Sequence, residues 1–186
     1  MHNENFPHSR LRRRLMAAAV LGMLALPLRA APAFAEITWE DLVPEDWDPM
    51  AEFADVKDLD ALPDSDPRVI ELYERLRHVW DSAPVVSAMA GRAVKLPGYL
   101  VPLDETKAGL REFLLVPYFG ACIHTPPPPA NQIIHVRAAT PIKGLRTMDA
   151  VWASGTLELK RSDSAMGSSG YSMAAKSVVR YKEPRR

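Results

Sequence analysis

The sequence predicts a mainly β protein: a small five-stranded barrel of OB type, one amphipathic helix and an extended N-terminal lead-in. Apolar residues recur at helical spacing in one stretch, 67–81. From residue 85 onward the pattern changes to alternation and short apolar runs. These runs predict strands at about 91–103, 110–118, 132–139, 149–160 and 171–182. A sandwich or an open α+β sheet fits the same pattern.

Residues 1–35 have the features of an export signal. Arginines between Arg10 and Arg14 precede an apolar run from Leu15 to Leu28, and Ala33-Phe34-Ala35 supplies a small-x-small cleavage site. The run is shorter than the about 20 apolar residues of a permanent membrane helix. We therefore expect cleavage near Ala35 and a secreted, periplasmic protein that is not integral to the membrane. The arginines match a twin-arginine signal only loosely, which favours the general secretion route.

The composition of the mature chain narrows the classes of function. Residues 1–35 contain five of the 23 basic and one of the 23 acidic residues, which leaves 18 basic and 22 acidic residues and a formal charge of −4. A net negative surface disfavours nucleic acid as a partner. Because the chain has a single cysteine, Cys122, no intrachain disulfide can form, and the core must hold the fold by itself.

Four segments follow along the chain. Residues 1–35 form the signal, 36–64 an extended lead-in whose Trp and Leu residues pack on the domain surface, 65–84 the helix, and 85–186 the barrel. Asp66 is a good N-cap and Pro67 suits the first helical position. The step Pro97-Gly98 predicts a bulge or a sharp bend in the first barrel strand. Residues 113–116 are apolar on both faces and predict a central strand.

One loop, residues 117–132, concentrates unusual residue types. It contains Cys122, a run of four prolines at 126–129, and the asparagine and glutamine of the mature chain, Asn131 and Gln132. Such a combination predicts a dedicated functional site, and Tyr118 is expected to line it. The proline run is stiff polyproline II, which serves either as a ridge for a partner or as a brace that fixes the exit of the loop.

The pair Cys122 and His124 allows a metal site. In a strand-like conformation residues i and i+2 point to the same side, so a sulfur and an imidazole could share Zn or Cu. A third ligand would have to come from elsewhere in the chain, and His135, Glu112 and Asp104 are the candidates.

Two other interpretations of the same residues stay open. Cys122 and His124 could be a catalytic pair oriented by Asn131, as in a small thiol-dependent hydrolase. Alternatively, Cys122 is a small buried side chain, and His124, Asn131 and Gln132 bond to the backbone where the prolines lack N–H groups. The sequence contains neither a zinc-protease helix motif nor a nucleophile elbow, and no catalytic residue is assigned.

The strings at 98–104 and 112–132 resemble DUF3299, a family of exported bacterial proteins of unknown function. The resemblance covers about residues 84–160, and the run from Cys122 to Gln132 is its most specific part. It implies a periplasmic accessory role, with inner-membrane ABC transporter components as candidate partners and a link to metal handling. We therefore expect a non-enzymatic binding protein; a thiol hydrolase or a structural interaction module presenting the proline-rich loop are the alternatives.

Overall fold

The computed structural model describes residues 34–54, 56, 62–104, 106–123 and 127–182. Within them a helix, α1 (Pro67–Asp81), precedes most of the strands. The strands are β1 (Ala35–Glu36), β2 (Ala93–Pro102), β3 (Leu110–Val116), β4 (Ile134–Ile142), β5 (Ala150–Glu158), β6 (Ser162–Ser164), β7 (Gly167–Ser169) and β8 (Tyr171–Arg180). Short 3-10 turns lie at Glu40–Leu42, Ala51–Phe53, Ser87–Met89 and Ala130–Gln132.

Five strands close into a barrel, which confirms the predicted fold class. Their order is β2-β3-β4-β8-β5, and β5 pairs back onto β2. The pairs in the barrel are antiparallel except β4 with β8, which is parallel. A closed sheet of this kind leaves its barrel strands without a long free edge, so the backbone is paired while the side chains fill the interior.

The first barrel strand, β2, pairs with different partners along its length. Its first half pairs with β5 on one side and with β1 on the other, while Tyr99 to Pro102 pair with β3. The short β1 therefore covers the part of β2 that β3 does not reach. The pairing of β2 with β5 crosses Pro97 and Gly98 without a register shift, so the break expected there is not a bulge. Gly98 is needed for close approach, because a Cβ there would lie 2.8 Å from Leu115 Cγ.

Strand β3 divides its apolar residues between two clusters. Phe113 and Leu115 point into the barrel core, and Leu114 and Val116 belong to a smaller cluster on the outer face. Both alternating sets are buried, which confirms the central position predicted for this strand. The outer cluster is covered by the loop that follows β3, and this loop contains the candidate site.

The lead-in enters the core of the barrel instead of packing only on its surface. Ile37, Trp39 and Leu42 belong to the main core cluster. The indole Nε1 of Trp39 donates to the Pro97 carbonyl at 2.8 Å. The buried hydroxyl of Tyr171 donates to the Leu42 carbonyl at 2.8 Å. The segment is also less extended than expected, because it contains two of the 3-10 turns.

Helix α1 has the bounds that its periodicity predicts. The Asp66 carboxylate accepts from the Arg68 N–H at 2.9 Å, which confirms the N-cap. Val69 and Val79 are buried, whereas Tyr73 on the same apolar stripe is 54% exposed. In the part of the chain that the structure describes, no helix is both long enough and apolar enough to cross a bilayer.

A hairpin of two short strands, β6 and β7, lies between β5 and β8, where the sequence pattern predicts no strand. Each strand has three residues, which is too short for a recognisable alternation. Gly167 starts β7 with a φ of 128°, a conformation that favours glycine. The Arg161 guanidinium bonds the carbonyl of Asp81 and the hydroxyl of Ser168, so it ties the hairpin to the end of α1.

Candidate functional site

The loop after β3 folds back onto the outer face of the barrel. Among its described residues, Gly120 and Cys122 have a positive φ, of 87° and 65°. A non-glycine residue in this region is strained and persists only where its surroundings hold it. Cys122 therefore lies in a turn and not in a strand-like conformation. We expected Cys122 and His124 to share one face because both would lie in a strand. The conformation of Cys122 removes the basis for this expectation.

The Cys122 side chain packs half-buried against the outer cluster, which contains Leu114, Val116 and Ile133. Burial raises the pKa of its thiol to about 11. At neutral pH the sulfur is therefore protonated. A cysteine nucleophile requires the thiolate, so this environment opposes the catalytic role. It agrees with a structural role for the sulfur.

His124 lies outside the described residues, so its part in the site stays a prediction. His135 lies on β4 in register with Leu114 of β3. Its Nε2 is 3.1 Å from Glu112 Oε2, and its side chain is 9% exposed. The Nδ1 atom of His135 is buried and has no hydrogen-bond partner in the described part of the protein. The structure thus pairs His135 with Glu112, which are two of the three candidates for the third metal ligand.

Asp104, the remaining candidate ligand, is occupied by the backbone. One of its carboxylate oxygens accepts from the N–H groups of Arg111 and Glu112, at 3.1 and 2.7 Å. Among the described residues, no three His, Cys, Asp or Glu side chains are gathered as a metal site requires. A Zn or Cu site at Cys122, His124 and His135 stays a prediction.

The two amides of the loop bond to segments that are distant in sequence. Asn131 is fully buried, and its Nδ2 donates to the Pro84 carbonyl at 3.0 Å. Gln132 Nε2 donates to the Trp39 carbonyl at 2.8 Å. These bonds join the loop to the segment before β2 and to the lead-in. The two side chains therefore brace the loop, in agreement with the interpretation in which they bond to backbone groups.

The same loop presents apolar side chains to solvent. Tyr118, Phe119 and Ile123 are 43%, 64% and 39% exposed, and we call these three residues the loop patch. Phe119 packs edge-on against Tyr99, with ring centroids 5.8 Å apart. The Gly120 N–H lies 3.2 Å from Met148 Sδ, which anchors the turn. The sequence indicated Tyr118 as a residue lining a site, but it gave no sign that Ile123 is also exposed.

Known proteins resemble this chain over most of its length. A family model described as "Protein of unknown function (DUF3299)" matches residues 39–180. The crystal structure of a DUF3299 family protein from Pseudomonas aeruginosa PAO1 is similar, with 37% sequence identity and a TM-score of 0.64, over 82% of this chain and 99% of that chain. No curated protein matches the chain. The resemblance seen in the loop thus extends over the lead-in, the helix and the barrel, and the chain belongs to the DUF3299 family.

Proposed function

We propose that this protein is a non-enzymatic accessory protein of the periplasm that acts by binding a component of an inner-membrane ABC-type transporter through the loop patch. The observation that carries the proposal is the exposure of Tyr118, Phe119 and Ile123 on one braced turn. Large apolar side chains that are exposed together, and not scattered singly, are typical of protein interaction sites. Aromatic residues also contribute most to binding energy at such sites.

The contacts of the described parts of the loop support a role in recognition. The bonds of Asn131 and Gln132 fix its far end, and the Tyr99 ring supports Phe119 from beneath. A surface that is already ordered loses little conformational entropy on binding. The protonated Cys122 thiol below the turn favours binding over covalent chemistry. The transporter as partner rests on the family resemblance, and the periplasmic location rests on the predicted signal.

The first test is site-specific photocrosslinking in cells. A benzoylphenylalanine at Phe119 should crosslink to a periplasmic region of an ABC transporter subunit. The same probe at Val179, which is 52% exposed on β8, is the matched control and should give no such product. Equal products from both positions, or none from Phe119, would contradict the proposal.

The second test measures binding of the purified subunit directly. Phe119→Ser should weaken binding at least tenfold, since truncating a central aromatic anchor commonly removes more than about 1.4 kcal/mol. Val179→Ser should bind like the wild type. Both variants should keep the wild-type melting temperature, because both side chains are exposed. Unchanged binding by Phe119→Ser would rule out the loop patch as the contact surface.

A further inference from the structure

Two loops at one end of the barrel enclose a recess of about 440 Å³. One loop joins β2 to β3, and the other joins β4 to β5. Leu110 and Leu145 form part of its apolar lining, where the barrel core ends. Among the described residues that line it, every charged side chain is basic, and these are Lys107, Lys143 and Arg146. We call this space the basic recess.

The basic side chains of the recess are not neutralised by neighbours. Lys107, Lys143 and Arg146 are exposed, and none of their side chains forms a hydrogen bond or an ion pair with a described residue. The carboxylate of Asp149 lies beside Arg146 but is already occupied. It accepts from the Arg146 backbone N–H at 2.7 Å and from the Arg180 guanidinium at 2.8 Å. A recess lined by charges of one sign concentrates ions of the opposite sign, so this end of the barrel attracts anions.

Both walls of the basic recess are held in place by contacts within the protein. In the β4–β5 loop the Gly144 carbonyl accepts from the Arg180 guanidinium at 2.6 Å. In the β2–β3 loop the Thr106 hydroxyl donates to the Gly109 carbonyl at 2.9 Å. A Cβ at Gly109 would lie 2.6 Å from the Ile142 carbonyl oxygen, so this loop packs directly against the end of β4. A recess ordered in this way loses little conformational entropy when a ligand binds.

A phosphate group fits three separate cations better than a carboxylate does. It carries about two negative charges on three oxygens, which donors can approach from several sides. A carboxylate has one charge and two oxygens. Lysine binds phosphate as a point charge, and arginine adds a planar fork of N–H donors.

We infer that the basic recess binds the phosphate group of a phosphorylated ligand. Lys107, Lys143 and Arg146 contact the phosphate oxygens, and the rest of the ligand lies against Leu145. The volume of the recess is within the range typical of ligand sites, about 300–1,000 Å³. This site is separate from the loop patch and goes beyond the proposed function.

The first test is isothermal titration calorimetry of the purified protein with inorganic pyrophosphate. Pyrophosphate should bind with a Kd below about 1 mM at low salt. Binding should weaken at about 0.5 M NaCl, because salt screens exposed charges. Citrate, an anion that carries its charge on carboxylates, should bind at least about threefold more weakly than pyrophosphate.

Single substitutions locate the bound anion. Lys143→Gln and Arg146→Gln should each weaken pyrophosphate binding about threefold to tenfold, because each removes one positive charge from the recess. Lys160→Gln is the matched control: Lys160 is equally exposed but lies outside the recess, and its replacement should have no effect. All three variants should keep the wild-type melting temperature, because the three side chains are exposed.

A second readout reports where the anion lies in the wild-type protein. In proton–nitrogen NMR spectra the backbone signals of Gly109 and Gly144, one in each wall, should shift as pyrophosphate is added. The signal of Gly91, before the other end of β2, should not shift. Shifts of equal size at all three glycines would indicate a general effect of charge and would contradict a defined site.

The phosphate could belong to a soluble molecule or to a lipid headgroup, and vesicles distinguish these sources. Cosedimentation with phosphatidylglycerol vesicles but not with phosphatidylcholine vesicles, lost in Lys143→Glu, would assign the phosphate to an anionic lipid. Binding of pyrophosphate without cosedimentation would assign it to a soluble ligand. Both results support a phosphate site in the basic recess.

Three outcomes would overturn the inference. Absence of pyrophosphate binding below about 1 mM would show that the recess does not hold the anion. Equal binding by Lys143→Gln, Arg146→Gln and Lys160→Gln would place the anion elsewhere on the protein. Citrate binding as tight as pyrophosphate binding would show that the recess responds to charge alone and does not recognise phosphate.

Discussion

Replacing Tyr171 by phenylalanine would remove a hydroxyl that joins three parts of the chain. Tyr171 is fully buried at the start of β8. Its hydroxyl donates to the Leu42 carbonyl at 2.8 Å and accepts from the Val86 N–H at 2.7 Å. The change to phenylalanine keeps the ring and leaves both backbone groups without this partner. It therefore isolates the contribution of the hydroxyl.

The expected loss of stability follows from the two orphaned groups. A buried donor or acceptor left without a partner costs about 1–3 kcal/mol. Because the bond to Val86 is only partly buried, we expect Tyr171→Phe to lower the free energy of unfolding by about 2–4 kcal/mol in total. With a urea m-value of about 1–3 kcal/mol per molar, the midpoint should fall by at least about 0.7 M.

The assay is urea unfolding followed by circular dichroism, with Tyr99→Phe as the matched control. The Tyr99 hydroxyl makes no hydrogen bond with the described residues, and its ring packs against Phe119. Tyr99→Phe should change stability by less than about 0.5 kcal/mol. Hydrogen exchange should also accelerate around Leu42 in Tyr171→Phe, because the lead-in loses an anchor. Equal midpoints for the two variants would refute the assigned role of the Tyr171 hydroxyl.

Four further predictions concern the barrel, the thiol and the helix. Gly155→Ala should destabilise the protein by about 1–3 kcal/mol in urea unfolding, because a Cβ there would lie 2.5 Å from a backbone oxygen of β8; an unchanged midpoint would contradict this close packing. Alkylation of Cys122 should be slow at pH 8 and increase with an inflection near pH 11, and an inflection near pH 8.5 would show that burial does not raise its pKa. Because the folded pKa of Cys122 exceeds the ordinary value of 9.0, the stability gained from burying the neutral thiol should be lost as the pH rises from 9 towards 11. Asp66→Ala should lower the melting temperature more at pH 7 than at pH 2, because the hydrogen bond from Arg68 lowers the Asp66 pKa and the stabilisation from the ionised carboxylate decreases as the pH falls below 3.8; an equal difference at both pH values would contradict this.

Local signals were sufficient to predict the helix and most strands. The helix depends on apolar spacing and on Asp66 and Pro67, which are adjacent in sequence, so its bounds follow from short-range chemistry. The buried character of β3 follows in the same way from an apolar run at residues 113–116. These features need no knowledge of which segments meet in space.

Features that depend on distant contacts could not be predicted. The burial of Trp39 depends on the Pro97 carbonyl, 58 positions later, and no local pattern indicates it. The loop after β3 could be singled out by its residue types, but the direction of Cys122 depends on a φ of 65°, which alternation rules do not anticipate. Asn131 and Gln132 likewise bond to carbonyls 47 and 93 positions away.

The placement of β1 has a consequence for the predicted cleavage of the leader. The proposed cleavage point follows Ala35, in the two-residue strand that pairs with Val94 and Lys95. Signal peptidases bind the chain around the scissile bond in extended form, so those two residues cannot occupy the enzyme and the barrel at once. A leader cleaved at the predicted point would therefore have to be removed before β1 pairs with β2. The amino terminus created at Glu36 would then lie beside Lys95, at the side of β2 that β3 does not reach.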